Sequence, residues 1–310
     1  MAVAQMARSS EPKLRPRRVY FDTAQLQDIA EEPSGSLLRN EFYSAVTENR
    51  IVPVLSQFHC IEIAKKQEPH RSRIVDLLAP VADTSRVLWV RCDAGVLDRE
   101  LKFACACHGG GRVPDREIFS THWESVLRAS DQPGFLPNEY PGFASHIDQV
   151  VSTLTDPDSE RDYMTQALKT VASLEDLRQR HRKAWHSIPA FSADRKLAMV
   201  VSRNPMLLAR LQQESTGGPF PLMLERMPAH RINIAFEEGT IRGDGAVAVT
   251  DVEDQRHLIS AVYADTFFVD GRTLERLRVG GWASDHARRN STKESLRDFL
   301  RNAVTMEIEA

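Results

Sequence analysis

The chain has 310 residues, 42% of them hydrophobic, enough to bury a substantial core in one enlarged domain or two ordinary ones. Its 40 basic and 43 acidic residues leave a formal charge of −3, which excludes bulk attraction to nucleic acid or an anionic membrane and confines any polyanion site to a local patch. Four cysteines (Cys60, Cys92, Cys105, Cys107) are too few for a disulfide scaffold, nothing upstream resembles a secretory signal, and no apolar run approaches the ~18 residues of a membrane span, so the expectation is a soluble cytoplasmic protein without membrane contact.

Residues 1–16 are polar, proline-bearing and increasingly basic, the composition of a disordered arm. After it, "RRVYFD" (Arg17 to Asp22) is a β-branched and aromatic run ending on an acid, followed by a helical pattern through Leu26, Ile29 and Ala30. "NRIVPVLSQFHCIEIAKK" repeats the scheme: an extended run around Pro53, then a helix with Phe58, Ile61 and Ala64 on one side and Glu62 within it. "RVLWVRCD" is a third strand closing on an acid, Asp93, and an amphipathic helix follows. Strands alternating with helices predict a parallel sheet.

Residues 105–245 break the alternation. A glycine- and proline-rich passage surrounds one short helix, "EIFSTHWESVLRA". A long helix is then expected from the cap candidates of "DPDSERDY" through Met164, Leu168, Val171, Leu174 and Leu177. Further helical pieces broken near Pro205 and the linker-like "STGGPFPLMLERMP" complete a mainly helical insertion. From residue 246 the sheet pattern resumes: Asp254 stands at the start of a helical face made by Leu258, Ala261 and Val262. The wholly apolar "TFFV" reads as a strand ending at Asp270, and "TLERLRV" starts another helix.

Asp22, Asp93 and Asp270 therefore each terminate a strand, while Glu62 and Asp254 lie on adjoining helices. In an open parallel sheet the carboxyl ends of the strands share one edge, where ligands bind. Clustered carboxylates repel one another, so such a group calls for a cation, and hard oxygen donors suit Mg²⁺ or Mn²⁺. That chemistry is phosphoryl transfer or phosphoester hydrolysis.

In their order along the chain, "VYFDT", "VPVLSQFHCIEIA" and "DQRHLISAVYADTFFVDGRTL" resemble the acidic motifs of PIN-domain nucleases, over residues 17–104 and 246–282. The resemblance implies an α/β fold with a PIN-like parallel sheet flanked by helices. Residues 17–104 would form its first part, 105–245 a large mainly helical insertion, and 246–310 its second part with a C-terminal helix. It implies Mg²⁺- or Mn²⁺-dependent endoribonuclease activity on single-stranded or structured RNA, with DNA left open as a substrate. An inhibitory or scaffolding protein and a second copy of the chain are left open as partners.

Residue by residue, the resemblance makes Asp22, Glu62, Asp254 and Asp270 the catalytic metal-binding acids, with Asp265 a further ligand in one subgroup. Thr23 would be a hydroxyl beside Asp22 that steadies the site and its substrate. Independently of the resemblance, Arg272 and Arg276, just past Asp270, are placed to touch the scissile or a neighbouring phosphate, or else are solvated helix arginines. The chain departs from the pattern at Val269, where many members have threonine, and at Gly271, where a second aspartate is common. Whether Asp265 or Asp270 is the fourth ligand therefore stays open.

Other readings start from the same residues. Asp254 also suits a helix N-cap, Asp22 a strand-end turn, Glu62 a solvated helix face and Asp93 a cap of the next helix. A haloacid-dehalogenase-type phosphatase also begins from an aspartate after its first strand, but that family resembles Asp-x-Asp-x-Thr and here "TAQ" follows Asp22. A PIN-like fold that has lost catalysis and binds nucleic acid or protein is the remaining alternative. Cys105, Cys107 and His108 lack a partner pair at zinc spacing, His257 reads as structural, and "RQRHRKAW" suits either nucleic-acid contacts or a solvated helix face.

Overall fold

The computed structural model describes residues 14–106, 112–121, 142–185 and 226–307, except 244, 283 and 291. Strand β1 (Leu14–Arg15) leads into β2 (Arg17–Tyr20), then α1 (Thr23–Glu31), α2 (Leu37–Thr47), β3 (Ile51–Leu55), α3 (Gln57–Lys65), α4 (His70–Ala82) and β4 (Leu88–Val90). After α5 (Asp93–Ala106) come α6 (Asp115–Ile118), β5 (Phe119–Ser120), α7 (Phe143–Leu154), α8 (Pro157–Trp185), α9 (Pro228–Arg242) and α10 (Val249–Ala261). The chain closes with β6 (Thr266–Val269), α11 (Gly271–Val279), β7 (Ala287–Arg289), α12 (Lys293–Arg301) and β8 (Met306–Glu307).

The architecture is α/β. Six strands form one sheet in the order β5-β4-β3-β2-β6-β7, parallel throughout except for β5, and β1 pairs separately with β8. Residues 1–13 of the expected arm lie outside the described residues, while Leu14 and Arg15 pair with Met306 and Glu307. Cys107 and His108, residues 122–129 of the short central helix, and the helical pieces expected across 193–213 also lie outside them. Within 105–245 the described segments are mostly helical, yet Phe119 and Ser120 extend the sheet by pairing antiparallel to Val90 and Trp89. Among the described residues no helix is long and apolar enough to cross a membrane.

Strand pleating divides the core into two layers. Val19 and Phe21 face one side with Ile51, Leu55 and Phe268, under α1, α2, α3, α4, α7 and α12. Tyr20 faces the other with Val54, Phe267 and Val269, under α5, α9, α10 and α11. The crossovers from β2 to β3 and from β3 to β4 thus run over one face, and those leading into β6 and β7 over the other. The direction of winding changes between the neighbouring strands β2 and β6, and a crevice opens at their carboxyl ends because the connecting helices diverge there.

Local chemistry sets the helix starts that border this crevice. Asp22 caps α1 by accepting from the Ala24 N–H, and Asp270 caps α11 by accepting from the Thr273 N–H. Helix α10 begins five residues before Asp254, and Asp251 Oδ2 accepts from the Ala248 N–H at 2.7 Å. Asp254 is therefore inside the helix and its carboxylate is not consumed as a cap.

Helices α9 and α11 approach at backbone distance. A Cβ on Gly239 would stand 1.9 Å from the Arg276 carbonyl oxygen, and one on Gly280 would stand 1.8 Å from that of Ala235. Backbone cannot yield as a side-chain tip can. Gly239→Ala is expected to force the two helices apart and cost about 1–3 kcal/mol, the range for overpacking, read as a lower midpoint of urea unfolding with an unchanged slope.

Candidate functional site

Four of the expected acids meet in the crevice. Asp22, Glu62, Asp254 and Asp270 line a small cleft together with Tyr20, His257, Phe268, Val269 and Thr273. Asp22 arrives from the end of β2, Asp270 from the end of the adjacent β6, Glu62 from α3 and Asp254 from α10. Asp93 follows β4 on the same edge but pairs loosely with Arg256, 3.7 Å away, and is not part of the cleft lining.

Each acid is oriented by a neutral or cationic neighbour. Thr273 serves two at once: its N–H donates to Asp270 Oδ1 at 2.7 Å and its hydroxyl to Asp254 Oδ2 at 2.9 Å. Asn290, just past β7, donates its side-chain N–H to Asp22 Oδ2, and its backbone N–H to the Val269 carbonyl at 2.7 Å. His257 Nε2 lies 3.1 Å from Glu62 Oε1.

Behind His257 runs a buried polar chain. Tyr20 Oη is 2.5 Å from His257 Nδ1 and 2.9 Å from Ser56 Oγ. The Ser56 N–H donates to His59 Nδ1, which fixes the proton of His59 on Nε2, where it donates to the Phe21 carbonyl at 2.8 Å. Burial and the neighbouring His257 charge push His59 down to about 3, so it stays neutral.

The charge balance follows from these contacts. Burial alone would raise the Glu62 carboxyl, but the His257 charge and contact and the nearby Thr23 hydroxyl overcome it and hold Glu62 at about 2. Burial alone would lower the His257 imidazole, and the carboxylates of Glu62, Asp22 and Asp254 raise it instead. Asp254 has no such partner: burial and the charge of Asp270 push it up to about 7 despite the Thr273 hydrogen bond.

The remaining expected residues are placed elsewhere. Asp265 stands before β6, at the opposite edge of the sheet. It binds Arg15 Nη2 at 2.8 Å, Arg18 Nη2 at 3.0 Å and the Arg18 N–H at 2.8 Å, and these contacts hold its carboxyl well below the usual range. It is a clasp of the amino-terminal strands and not a ligand of the cleft. Arg276 is buried, stacks over Phe236 and pairs with Asp251. Arg272 also reaches Asp251, at 3.3 Å, so neither arginine turns into the cleft. Thr23 is 2% exposed, so it is no direct substrate contact, but its hydroxyl helps hold Glu62 ionised, in keeping with the expected role of steadying the site. Arg178 is buried against Glu175 and the Gly245 carbonyl, so it is no exposed nucleic-acid contact.

The sequence alone does not single out Tyr20, Thr273 or Asn290. Thr273 carries one signal, its place three residues after the capping Asp270, and His257 lies one helical turn after Asp254. Asn290 follows a strand, "ARR", that has no apolar pattern at all.

The donors facing the cleft are hard carboxylate oxygens. His257 Nδ1 is engaged by Tyr20, and the Glu62 carboxylate 3.1 Å from Nε2 favours the protonated imidazole, which offers no lone pair to a cation. This donor set fits Mg²⁺ or Mn²⁺ better than a softer metal. Among the described residues, however, no three His, Cys, Asp or Glu side chains are gathered tightly enough to form a ready-made metal site. The sequence matches no family model, and searches of curated proteins and of solved structures likewise give no significant match.

Two outcomes are expected from these placements. Asp265→Asn breaks a buried ion pair, costing about 3 kcal/mol, and leaves Mn²⁺ binding, measured by titration calorimetry, unchanged. Because its folded-state pKa is depressed, the Asp265 contribution is present above the unfolded value of 3.8 and fades as pH falls towards the lower folded one. Asp254 has the opposite sign. Its ionisation costs stability as pH rises above 3.8, and the cost is complete above about 7. Metal-free Asp254→Asn should therefore melt about 2–4 °C above wild type on the alkaline side, the shift produced by ~1 kcal/mol in a large domain, and the gain should vanish below pH 3.8.

Proposed function

We propose that this chain is a Mg²⁺- or Mn²⁺-dependent endoribonuclease with a PIN-like fold, cleaving phosphodiester bonds at the crevice between β2 and β6. The observation that carries this reading is the convergence of Asp22, Glu62, Asp254 and Asp270, from four separate elements, on one cleft at the carboxyl edge of a parallel sheet.

A divalent cation bound there supplies a water of lowered pKa and neutralises charge on the attacked phosphate. The chain's own residues do the positioning. Asp22 and Asp270, fixed by Asn290 and Thr273, present oxygens from adjacent strands, and Asp254 faces them from α10. His257 holds Glu62 ionised on the far side. Burial and the charge of Asp270 push the Asp254 carboxyl up to about 7, and a cation beside it would favour the ionised form, so metal binding should release a proton from this group near neutral pH.

A second reading, a PIN-like module that binds nucleic acid or protein without cleaving it, draws on the pairing of Glu62 with His257 and the absence of a tightly gathered ligand set among the described residues. A phosphatase of the haloacid-dehalogenase type is disfavoured because Ala24, two residues past Asp22, offers only its N–H to that carboxylate.

Cleavage of a labelled single-stranded RNA pool separates these readings. Wild type should cut with Mg²⁺ or Mn²⁺ and not with EDTA, and Asp22→Asn and Asp254→Asn should each slow cutting by on the order of 10²-fold or more, the effect of losing charge stabilisation in a transition state. Equal cutting by all three proteins would refute the nuclease reading. A wild type that binds the RNA without cutting would establish the module.

A further inference from the structure

The basic side chains around the cleft are nearly all committed to acids. Lys65 pairs with Glu253 at 2.6 Å, Arg272 and Arg276 with Asp251, Lys293 with Glu32 at 2.9 Å, and Arg256 with Asp93. A phosphate entering the cleft would have to compete with those carboxylates for each of them.

Arg289 is different. It is the last residue of β7, opposite Val269 on β6, and it is exposed. Strand alternation sends its neighbour Arg288 the other way, onto the Phe299 ring, and the following residue is Asn290, which holds Asp22. Its guanidinium lies against the backbone of Gly271, immediately after Asp270: a Cβ at Gly271 would stand 2.9 Å from Arg289 Nε and 3.1 Å from both Cζ and Nη2. Among the described residues Arg289 makes no ion pair and no side-chain hydrogen bond. A planar guanidinium with five donors is thus held beside the acidic cleft, exposed and unspent, by a glycine whose missing side chain makes the room.

Resting on the nuclease reading and deepening it, we infer that Arg289 is the substrate-phosphate contact of this site, binding a backbone phosphate of the single-stranded nucleic acid next to the bond that is cut. Its geometry suits the task. A guanidinium can bridge two oxygens of one phosphodiester, and a cation at the rim offsets the repulsion that four carboxylates exert on a polyanion. The departure at Gly271 then has a physical role, since any larger residue there would push this side chain away.

The test is binding rather than cleavage, so that it stands apart from the nuclease assay. A fluorescein-labelled single-stranded RNA of mixed sequence is titrated with the full chain in EDTA at several salt concentrations and followed by anisotropy. Arg289→Ala should weaken binding by on the order of tenfold, as for loss of a charge-assisted hydrogen bond, and reduce the slope of log affinity against log salt by about 0.7, the value for one phosphate contact on a single strand. Arg289→Lys should keep the slope and recover part of the affinity.

Gly271→Ala should weaken binding while Arg289 is present and add nothing in the Arg289→Ala background, because both act on one guanidinium. Unchanged thermal melting of Arg289→Ala confirms that the fold is intact. Equal affinity and equal salt slope for wild type and Arg289→Ala would overturn the inference even if the wild type cuts RNA. So would failure of the wild type to bind the strand. Cutting that is insensitive to Asp22→Asn would instead count against the nuclease reading alone.

Discussion

Repulsion between carboxylates drawn into one cleft is the constraint around which the carboxyl edge of the sheet is organised. Asp22, Glu62, Asp254 and Asp270 cannot all ionise side by side without compensation. The structure supplies it unevenly. Glu62 is compensated by His257, and Asp22 and Asp270 by hydrogen bonds from Asn290, Ala24 and Thr273. Asp254 receives one hydroxyl, and burial and the Asp270 charge push its carboxyl up nonetheless. That imbalance is what a structural cluster would be expected to lack, because a purely structural carboxylate gains from a complete set of partners, as Asp265, Asp251 and Glu100 have. Glu100 accepts from two backbone N–H groups at the start of α9, from His230 and from the Tyr263 hydroxyl.

The same contrast explains which parts of the site can be read from the residues. Runs such as "RRVYFD" and "TFFVD" announce both the strands and the acids that end them, since the β-branched and aromatic stretch of a buried parallel strand stops at an acid where the chain reaches the carboxyl edge. Strand direction, properly applied, also places Asp265. It precedes a strand that Asp270 follows, and five residues of extended chain at ~3.3 Å each put them about 16 Å apart. Both cannot serve one cation. Arg272 and Arg276 are similarly decided by spacing: four residues apart, they share a helix face, and Asp251 with its carboxylate 1% exposed lies under that face.

What is not legible depends on long-range pairing. Strand β7 has three residues, two of them arginine, and it forms because β6 offers an edge and not because its own sequence favours extension. Asn290 and Arg289 come with it, so their positions follow only once the strand order is known. The chain Tyr20–Ser56–His59 is hidden for a related reason. Its members sit within apolar segments whose pattern announces core, and only the register Tyr20↔Val54 between β2 and β3 brings the Tyr20 hydroxyl over Ser56.

The winding of the sheet joins these observations. Because β2 feeds helices on one face and β6 feeds helices on the other, the crevice between them is bordered by two helix starts, capped by Asp22 and Asp270. Each capping carboxylate gives one oxygen to the helix N–H groups, and its second oxygen faces away from the helix, in Asp22 towards Asn290. The two acids are thereby fixed to the helix starts, and Asn290 adds a second hold on Asp22. Glu62 and Asp254 come from helix interiors and need other means, His257 for one and Thr273 for the other. Helix α11 supplies Thr273 three residues after its cap and takes Gly271 at its first position, so a single turn orients two acids and leaves space for the Arg289 guanidinium. Val269 fills the core layer beneath the crevice, 8% exposed, and Gly271 keeps its rim open.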